Sequence, residues 1–121
     1  MPNLIELENA MPVAPLKIIA LPGAKQLGDR INEYLVAFRK EINNVHKNDP
    51  AFQGYIEDNY LVKYNTPRFG SGEGKGELLE SIRGKDLYLL VDVCNHSLTY
   101  RMHGYVNHMS PDDHYQDLKR I

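Results

Sequence analysis

Three groups of residues in this 121-residue chain have types and spacings that could take part in chemistry. The first is the glycine-rich segment 68–76, which reads RFGSGEGKG, and the second is the dipeptide Arg83-Gly84 directly before an apolar run. The third is a set of metal-ligand residue types toward the end of the chain: Cys94, His96, His103, His108 and His114. The chemistries to consider are therefore phosphate binding, anion binding and zinc binding.

The glycine-rich segment invites comparison with phosphate-binding loops, whose backbone N–H groups point at phosphate oxygens. Segment 70–76 is one residue short of the Walker A spacing and lacks the hydroxyl that would bind magnesium. The dinucleotide fingerprint G-x-G-x-x-G is absent as well, and we expect no helix directly after the segment. On the residues alone, a flexible hairpin arm is favoured, because glycine has no side chain to bury.

Histidine and thiolate are good zinc ligands, but none of these residues has the close spacing typical of structural zinc sites. The H-E-x-x-H motif is also absent. We therefore expect surface histidines in a polar loop, with a zinc site as the alternative. No base that would activate Cys94 can be identified, so we expect a buried thiol at a strand end and assign no catalytic residue.

Composition narrows the class of protein. A net charge of -2 and a pI near 6.2 argue against a nucleic-acid surface, which needs a clustered basic face. No apolar run approaches the roughly 18 residues of a membrane span. The segment 1–15 contains Glu6, Glu8 and the spaced prolines Pro12 and Pro15, unlike a signal or transit peptide. A single cysteine fits a reducing compartment, so we expect the protein in the cytoplasm. The length suits one domain, and we expect no membrane partner.

The first half of the chain predicts an α/β protein. Segment 1–15 is an extended leader, and 16–121 forms the domain. A short buried strand at 17–21 stops at a Pro-Gly pair and is followed by the clearest helix of the sequence. That helix has an apolar stripe of 3.6-residue period: Leu27, Ile31, Tyr34, Leu35, Phe38, Ile42 and Val45. Segment 46–59 is expected to be a loop or broken helix.

The second half predicts an antiparallel hairpin over 60–82, with strands at 60–64 and 76–82. A central strand over 86–93 should be buried on both faces, because its apolar run is nearly continuous. Segment 94–109 has no clear period and is expected to be an inserted loop. Ser110 then begins a helix with a capping box that includes Asp113. The apolar stripe of that helix is still developing where the sequence stops at Ile121, so we expect a fragment truncated in its last helix.

The pattern R-F-x-x-G-E-x-x-x-x-x-x-E-x-[IV]-R-G-x-D, which begins at Arg68 and ends at Asp86, resembles the N-terminal domain of ribose-phosphate pyrophosphokinases. These enzymes, also called phosphoribosyl pyrophosphate synthases, transfer the pyrophosphoryl group of ATP to ribose 5-phosphate. The resemblance runs from Lys17 to Ile121 and is interrupted around 43–59 and over 94–109. It implies a three-layer α/β fold, phosphoribosyltransferase-like, with a mostly parallel sheet flanked by helices and an antiparallel hairpin arm.

In that family the element F-x-[DN]-x-E lies on a hairpin that reaches into the ATP site of a neighbouring subunit. Its Phe packs on adenine and its polar residues bond the edge of the base. Phe69 and Glu73 match this element, while Ser71 stands where Asp or Asn is usual. The resemblance also implies an anion contact for Arg83 at a regulatory site between subunits. The alternatives are a core or interface aromatic at Phe69 and a plain turn at Arg83.

The same resemblance implies a homo-oligomer that acts on ATP and ribose 5-phosphate with Mg²⁺. The magnesium ligands, the ribose-phosphate loop and the catalytic loop of the family all correspond to positions beyond Ile121, so the chain alone should be inactive. Two other interpretations stay open. One is a non-catalytic regulatory or binding paralogue of the synthase, which Ser71 and the insertions favour. The other is an unrelated α/β interaction module.

Overall fold

The computed structural model describes residues 10–11, 13–52 and 56–121, so the predicted leader 1–15 and the predicted loop 46–59 lie partly outside the described residues. The elements follow one another in this order: β1 (Leu16–Ala20), a 3₁₀ turn (Pro22–Ala24), α1 (Lys25–Val45), a second 3₁₀ turn (Pro50–Phe52), β2 (Tyr64–Asn65), β3 (Glu77–Leu78), β4 (Asp86–Leu90), β5 (Thr99–Met102), β6 (Tyr105–His108) and α2 (Pro111–Arg120).

The strands pair in three small sheets. β1 and β4 are parallel, in register from Leu16 opposite Asp86 to Ala20 opposite Leu90. β2 pairs with β3 and β5 pairs with β6, both antiparallel. Two parallel strands need a long crossover between them, and here that crossover contains α1. The predicted α/β class and the antiparallel arm are confirmed.

Helix α1 forms where its periodicity predicts it, but its buried side is narrower than the predicted stripe. Ile42 is buried, and Gly28 packs closely on β1, since a Cβ at Gly28 would lie 2.4 Å from the Cβ of Ala20. Three residues of the predicted stripe are exposed: Leu27, Tyr34 and Val45. Among the described residues, no helix combines the length and the apolar character needed to cross a membrane.

The prediction that the strand over 86–93 is buried on both faces is wrong. β4 ends at Leu90 and pairs only with β1, which leaves Tyr88 57% exposed. The chain turns after Val91, so Cys94 is an exposed thiol rather than the predicted buried one. The apolar run thus predicts the presence of a strand correctly, but it does not predict how many other strands pair with it.

The predicted loop over 94–109 is also wrong, because it contains the β5–β6 hairpin. His103 and Gly104 at its tip have φ angles of +49° and +84°. Two consecutive positive φ angles are typical of the two-residue turns that match the twist of a hairpin. β5 alternates polar and apolar residues over only four positions, and β6 does not alternate, so the sequence pattern gives no clear strand signal.

The arm over 60–82 contains shorter strands than predicted. Only Tyr64–Asn65 and Glu77–Leu78 pair as β2 and β3, and Leu61 forms an isolated parallel bridge to Ile18. A further antiparallel bridge joins Arg68 to Gly74. The glycines between these positions weaken a strand, because they have no side chain to pack and lose more conformational entropy on ordering, which is consistent with the short strands.

Helix α2 begins as predicted. The Ser110 hydroxyl accepts a hydrogen bond from the Asp113 backbone N–H at 3.2 Å, and the Asp113 carboxylate accepts one from the Ser110 N–H at 2.8 Å. The helix closes one side of the core, which consists of Ile19, Leu21 and Val62 together with the partly buried Tyr64, Leu78, Ile82, Leu87, Val91, Leu118 and Ile121. Helix α2 and the arm are therefore packed on the same core.

Candidate functional site

Phe69, Ser71 and Glu73 lie together at the tip of the arm, in residues 68–74, which we call the arm turn. The Phe69 N–H donates to the Glu73 carbonyl at 2.9 Å, and the Gly72 N–H donates to the Phe69 carbonyl at 2.8 Å. Gly72 has a φ of +88°, a region that glycine occupies without steric cost. The closed turn presents Phe69, 54% exposed, and Ser71, also exposed, to solvent.

Glu73 contacts the last turn of α2. Its carboxylate accepts a hydrogen bond from the Arg120 guanidinium, and both side chains are about half exposed. An ion pair this exposed contributes at most about 1 kcal/mol. Glu73 can therefore exchange this partner for another at little cost.

Arg83 lies in a separate turn, between β3 and β4. The Lys85 N–H donates to the Ile82 carbonyl at 3.1 Å, and Gly84 has a φ of +72°. The predicted Arg-Gly turn is thus confirmed as local structure, and Arg83 is exposed on it. It is not part of the arm turn.

Arg68 is the buried anchor of the arm turn, with a side chain only 9% exposed. One guanidinium nitrogen, Nη1, donates to the Gly72 carbonyl at 3.0 Å and to the Gln116 side chain at 3.2 Å. The guanidinium carbon lies 4.2 Å from the ring centroid of Tyr100 on β5, a cation–π contact. Arg68 thereby joins the arm turn to both α2 and the β5–β6 hairpin.

Two carboxylates on α2 complete this cluster. Asp113 and Asp117 each have an oxygen 3.6 Å from the Arg68 guanidinium. That distance is too long for a hydrogen bond, and the buried Nη2 of Arg68 and Oδ1 of Asp117 have no hydrogen-bond partner among the described residues. The pairing is therefore ionic rather than hydrogen-bonded.

Burial raises the pKa of Asp117 above its ordinary 3.8, and the nearby charge of Asp113 acts in the same direction, while Arg68 and His114 lower it. Burial also raises the pKa of Tyr64 to about 12, with a smaller contribution from the charge of Asp117. The Tyr64 hydroxyl donates to the Ala20 carbonyl at 2.6 Å, which fixes the base of the arm to the end of β1.

The raised pKa of Asp117 gives a pH dependence with a definite sign. The folded state favours the protonated carboxyl, so this contribution to stability is fully present below the unfolded pKa and is lost as pH rises through the folded one. We expect Asp117→Asn to remove it. In urea unfolding between about pH 4 and pH 7, the wild-type free energy of unfolding should fall relative to that of the variant. A wild-type free energy of unfolding that stays constant relative to that of the variant, or rises relative to it as pH increases, would contradict the burial of this carboxylate.

Two cavities lie near these residues. One of about 270 Å³ is situated between the arm, β5 and α2, and Thr66, Arg68, Arg101 and Asp117 contribute to its lining. The other, of about 530 Å³, opens at the carboxyl end of β1, where ligands of open α/β sheets are commonly bound. None of Phe69, Ser71, Glu73 and Arg83 lines either cavity. The predicted adenine-binding side chains therefore lie on an exposed turn, outside both of these cavities.

Two of the histidines, His103 and His114, contact backbone carbonyl groups rather than forming a metal-binding cluster. The Nε2 atoms of His103 and His114 lie 2.9 Å and 2.8 Å from the carbonyl oxygens of Gly70 and Asn95. Within the part of the chain that the structure describes, no three His, Cys, Asp or Glu side chains are grouped so that they could hold a metal ion. The implied magnesium therefore has no group of ligands in this part of the chain.

Sequence reasoning missed the cluster of Arg68, Tyr100 and Asp117. The i, i+4 spacing of Asp113 and Asp117 places two carboxylates on one helix face, which was the available signal. Comparison of the chain with models of protein families, with curated proteins and with solved structures finds no match.

Proposed function

We propose that this chain is the N-terminal part of a ribose-phosphate pyrophosphokinase, with a three-layer phosphoribosyltransferase-like fold. In the reaction, the anomeric hydroxyl oxygen of ribose 5-phosphate bonds to the β-phosphorus of ATP. The bond from that phosphorus to the α–β bridging oxygen breaks, AMP leaves, and the hydroxyl proton is lost. Such a transfer depends on positioning and on neutralising phosphate charge, rather than on a protein nucleophile.

The observation that carries the proposal is the exposure of Phe69 at the tip of a closed turn. Phe69 is 54% exposed, although the hydrogen bonds of the turn hold its backbone in place. An aromatic ring held outward in this way offers a face for a nucleobase. Stacking of a base on an aromatic side chain contributes about 1–3 kcal/mol.

The polar groups of the arm turn suit the edge of adenine. The Glu73 carboxylate can accept a hydrogen bond from an exocyclic amino group, after it exchanges its exposed partner Arg120 for the base. Ser71 has one hydroxyl that either donates or accepts. It is shorter than the Asp or Asn of the resembling family, so the adenine edge should be held mainly by Glu73.

The order of elements also supports the proposal. A strand and a long helix precede the arm, and the Arg83-Gly84 turn leads directly into a strand parallel to the first. An exposed arginine on this turn is available to an anion at a subunit boundary. The arm turn would serve the ATP site of a neighbouring subunit, so the active form would be a homo-oligomer in the cytoplasm.

We expect magnesium to bind together with ATP, at ligands that correspond to positions beyond Ile121. The described residues supply no cluster that would hold it. We therefore expect the 121-residue chain alone to be inactive. Its own contribution would be the adenine contact and part of a subunit interface.

The test uses the longer protein of which this chain would be the N-terminal part. Phe69→Ala should raise the KM for ATP about tenfold, because the stacking contribution is lost, and leave the KM for ribose 5-phosphate unchanged. Tyr115→Ala is the matched control, since Tyr115 on α2 is 53% exposed against 54% for Phe69. Equal effects of the two substitutions would contradict the adenine role of Phe69.

A non-catalytic regulatory paralogue is the second candidate, and Ser71 together with the β5–β6 insertion favours it. Such a protein would bind adenine nucleotides through Phe69 without forming AMP. An unrelated α/β interaction module would show neither nucleotide binding nor an effect of Phe69→Ala. The kinetic test and a titration with ATP thus separate all three functions.

A further inference from the structure

We propose that the β5–β6 hairpin, residues 99–108, is a clamp that holds the arm turn in the conformation that presents Phe69. This inference deepens the proposed function and rests on it for the adenine role of Phe69. The clamp consists of contacts between two segments of this chain, and those contacts can be measured without an assay of enzymatic activity.

The first contact is between Tyr100 and Arg68. The Tyr100 ring lies under the Arg68 guanidinium, 4.2 Å from its central carbon. The same guanidinium donates to the Gly72 carbonyl inside the arm turn. The electron-rich face of an aromatic ring attracts a cation placed over it. Tyr100 therefore contacts the side chain that donates to the Gly72 carbonyl of the arm turn.

The second contact is a hydrogen bond from the tip of the hairpin. The His103 Nε2 lies 2.9 Å from the carbonyl oxygen of Gly70, the residue after Phe69. A carbonyl oxygen only accepts, so Nε2 carries the hydrogen and donates it. His103 has a φ of +49°, which is uncommon for a residue with a side chain. This turn conformation brings the imidazole next to the residue that follows Phe69.

Met102 also lies close to the turn, since a methyl group at the positive-φ Gly72 would lie 3.9 Å from the Cε atom of Met102. Two residues of the hairpin therefore contact the arm turn directly, Tyr100 at Arg68 and His103 at Gly70. On its other side it is held by the carboxylates of α2 through Arg68 and by Arg120 through Glu73.

The glycines of the arm turn explain why a clamp would matter. Glycine loses more conformational freedom on ordering than any other residue, so a turn with Gly70, Gly72 and Gly74 is costly to hold in one conformation. A site that exists in only a fraction of molecules binds its ligand more weakly by that fraction. The hairpin would raise the fraction in which Phe69 is presented.

The hairpin can be removed without stretching the chain. The Met109 N–H donates to the Leu98 carbonyl at 2.9 Å, so the two residues flanking it are already adjacent. Replacing residues 99–108 with Gly-Gly would keep that pairing. A milder variant is His103→Asn. Asn-Gly favours the same two-residue turn, but the Asn side chain is too short to reach Gly70.

The experiment uses the longer protein and two readouts. Amide hydrogen exchange at Phe69 and Gly72, whose N–H groups close the arm turn, reports on the clamp directly. We expect faster exchange in His103→Asn and in the Gly-Gly variant, together with a KM for ATP raised about fivefold and an unchanged KM for ribose 5-phosphate. His108→Asn, an exposed histidine on β6 of the same hairpin, should change neither readout.

Each outcome decides one statement. Unchanged exchange at Phe69 and Gly72 in both variants would overturn the clamp. Faster exchange with an unchanged KM for ATP would overturn its role in presenting Phe69. If the wild-type protein forms no AMP, the proposed function fails, and the exchange rates still decide whether the hairpin holds the arm turn.

Discussion

Arg68→Met is expected to lower the free energy of unfolding by about 3 kcal/mol, since removing one partner of a buried ion pair leaves the other charge uncompensated. Methionine keeps much of the volume of the arginine stem, so the loss would come mainly from charge and hydrogen bonding. The carboxylates of Asp113 and Asp117 would face no cation from the arm. The hydrogen bond to Gly72 inside the arm turn would be lost as well.

Urea unfolding followed by circular dichroism measures this effect. Lys75→Met is the matched control, because Lys75 forms an exposed ion pair with Glu77 at 3.6 Å in the same arm. Its expected cost is below about 1 kcal/mol. Similar costs for the two substitutions would mean that Arg68 is not the buried anchor described above.

Gly76→Ala is expected to have the second largest effect. A Cβ at Gly76 would lie 2.1 Å from the carbonyl oxygen of Arg120 and 2.7 Å from the backbone nitrogen of Ile121. These are backbone atoms, so the end of α2 would have to move away from the arm. Overpacking of this kind typically costs about 1–3 kcal/mol. Displacement of Arg120 would also break its ion pair with Glu73.

Thermal unfolding of Gly76→Ala should be compared with that of Gly70→Ala, which is the control. A Cβ at Gly70 would meet no atom within 4 Å, and Gly70 is not among the glycines with positive φ. Its substitution should change stability by no more than about 0.5 kcal/mol. If the two variants have the same unfolding temperature, the end of α2 does not pack against Gly76.

Local signals in the sequence predicted the elements that depend on local chemistry. The apolar run after Lys17, the periodic pattern of α1 and the capping box at Ser110 each correspond to an observed element. These features work because periodicity and capping act within a few residues. The α/β class could be predicted from them before any tertiary contact was known.

What could not be predicted depends on pairing across the chain. The burial of β4 depends on how many strands pair with it, and a run of apolar residues does not predict that number. The β5–β6 hairpin is specified by a turn at His103-Gly104 rather than by alternation. Arg68 and Asp117 are 49 positions apart in the sequence, and no spacing rule connects them. The arm turn itself was predicted, but the groups that anchor it were not.

One measurement tests the central claim most directly: AMP formation from MgATP, with and without ribose 5-phosphate, by a longer protein of which this chain would be the N-terminal part. We predict AMP release that depends on ribose 5-phosphate and falls in Glu73→Ala, because the carboxylate that would hold the adenine edge is gone. Glu77→Ala, which removes an exposed carboxylate of the same arm, should leave the rate unchanged. A folded protein that releases no AMP in response to ribose 5-phosphate would contradict the synthase assignment.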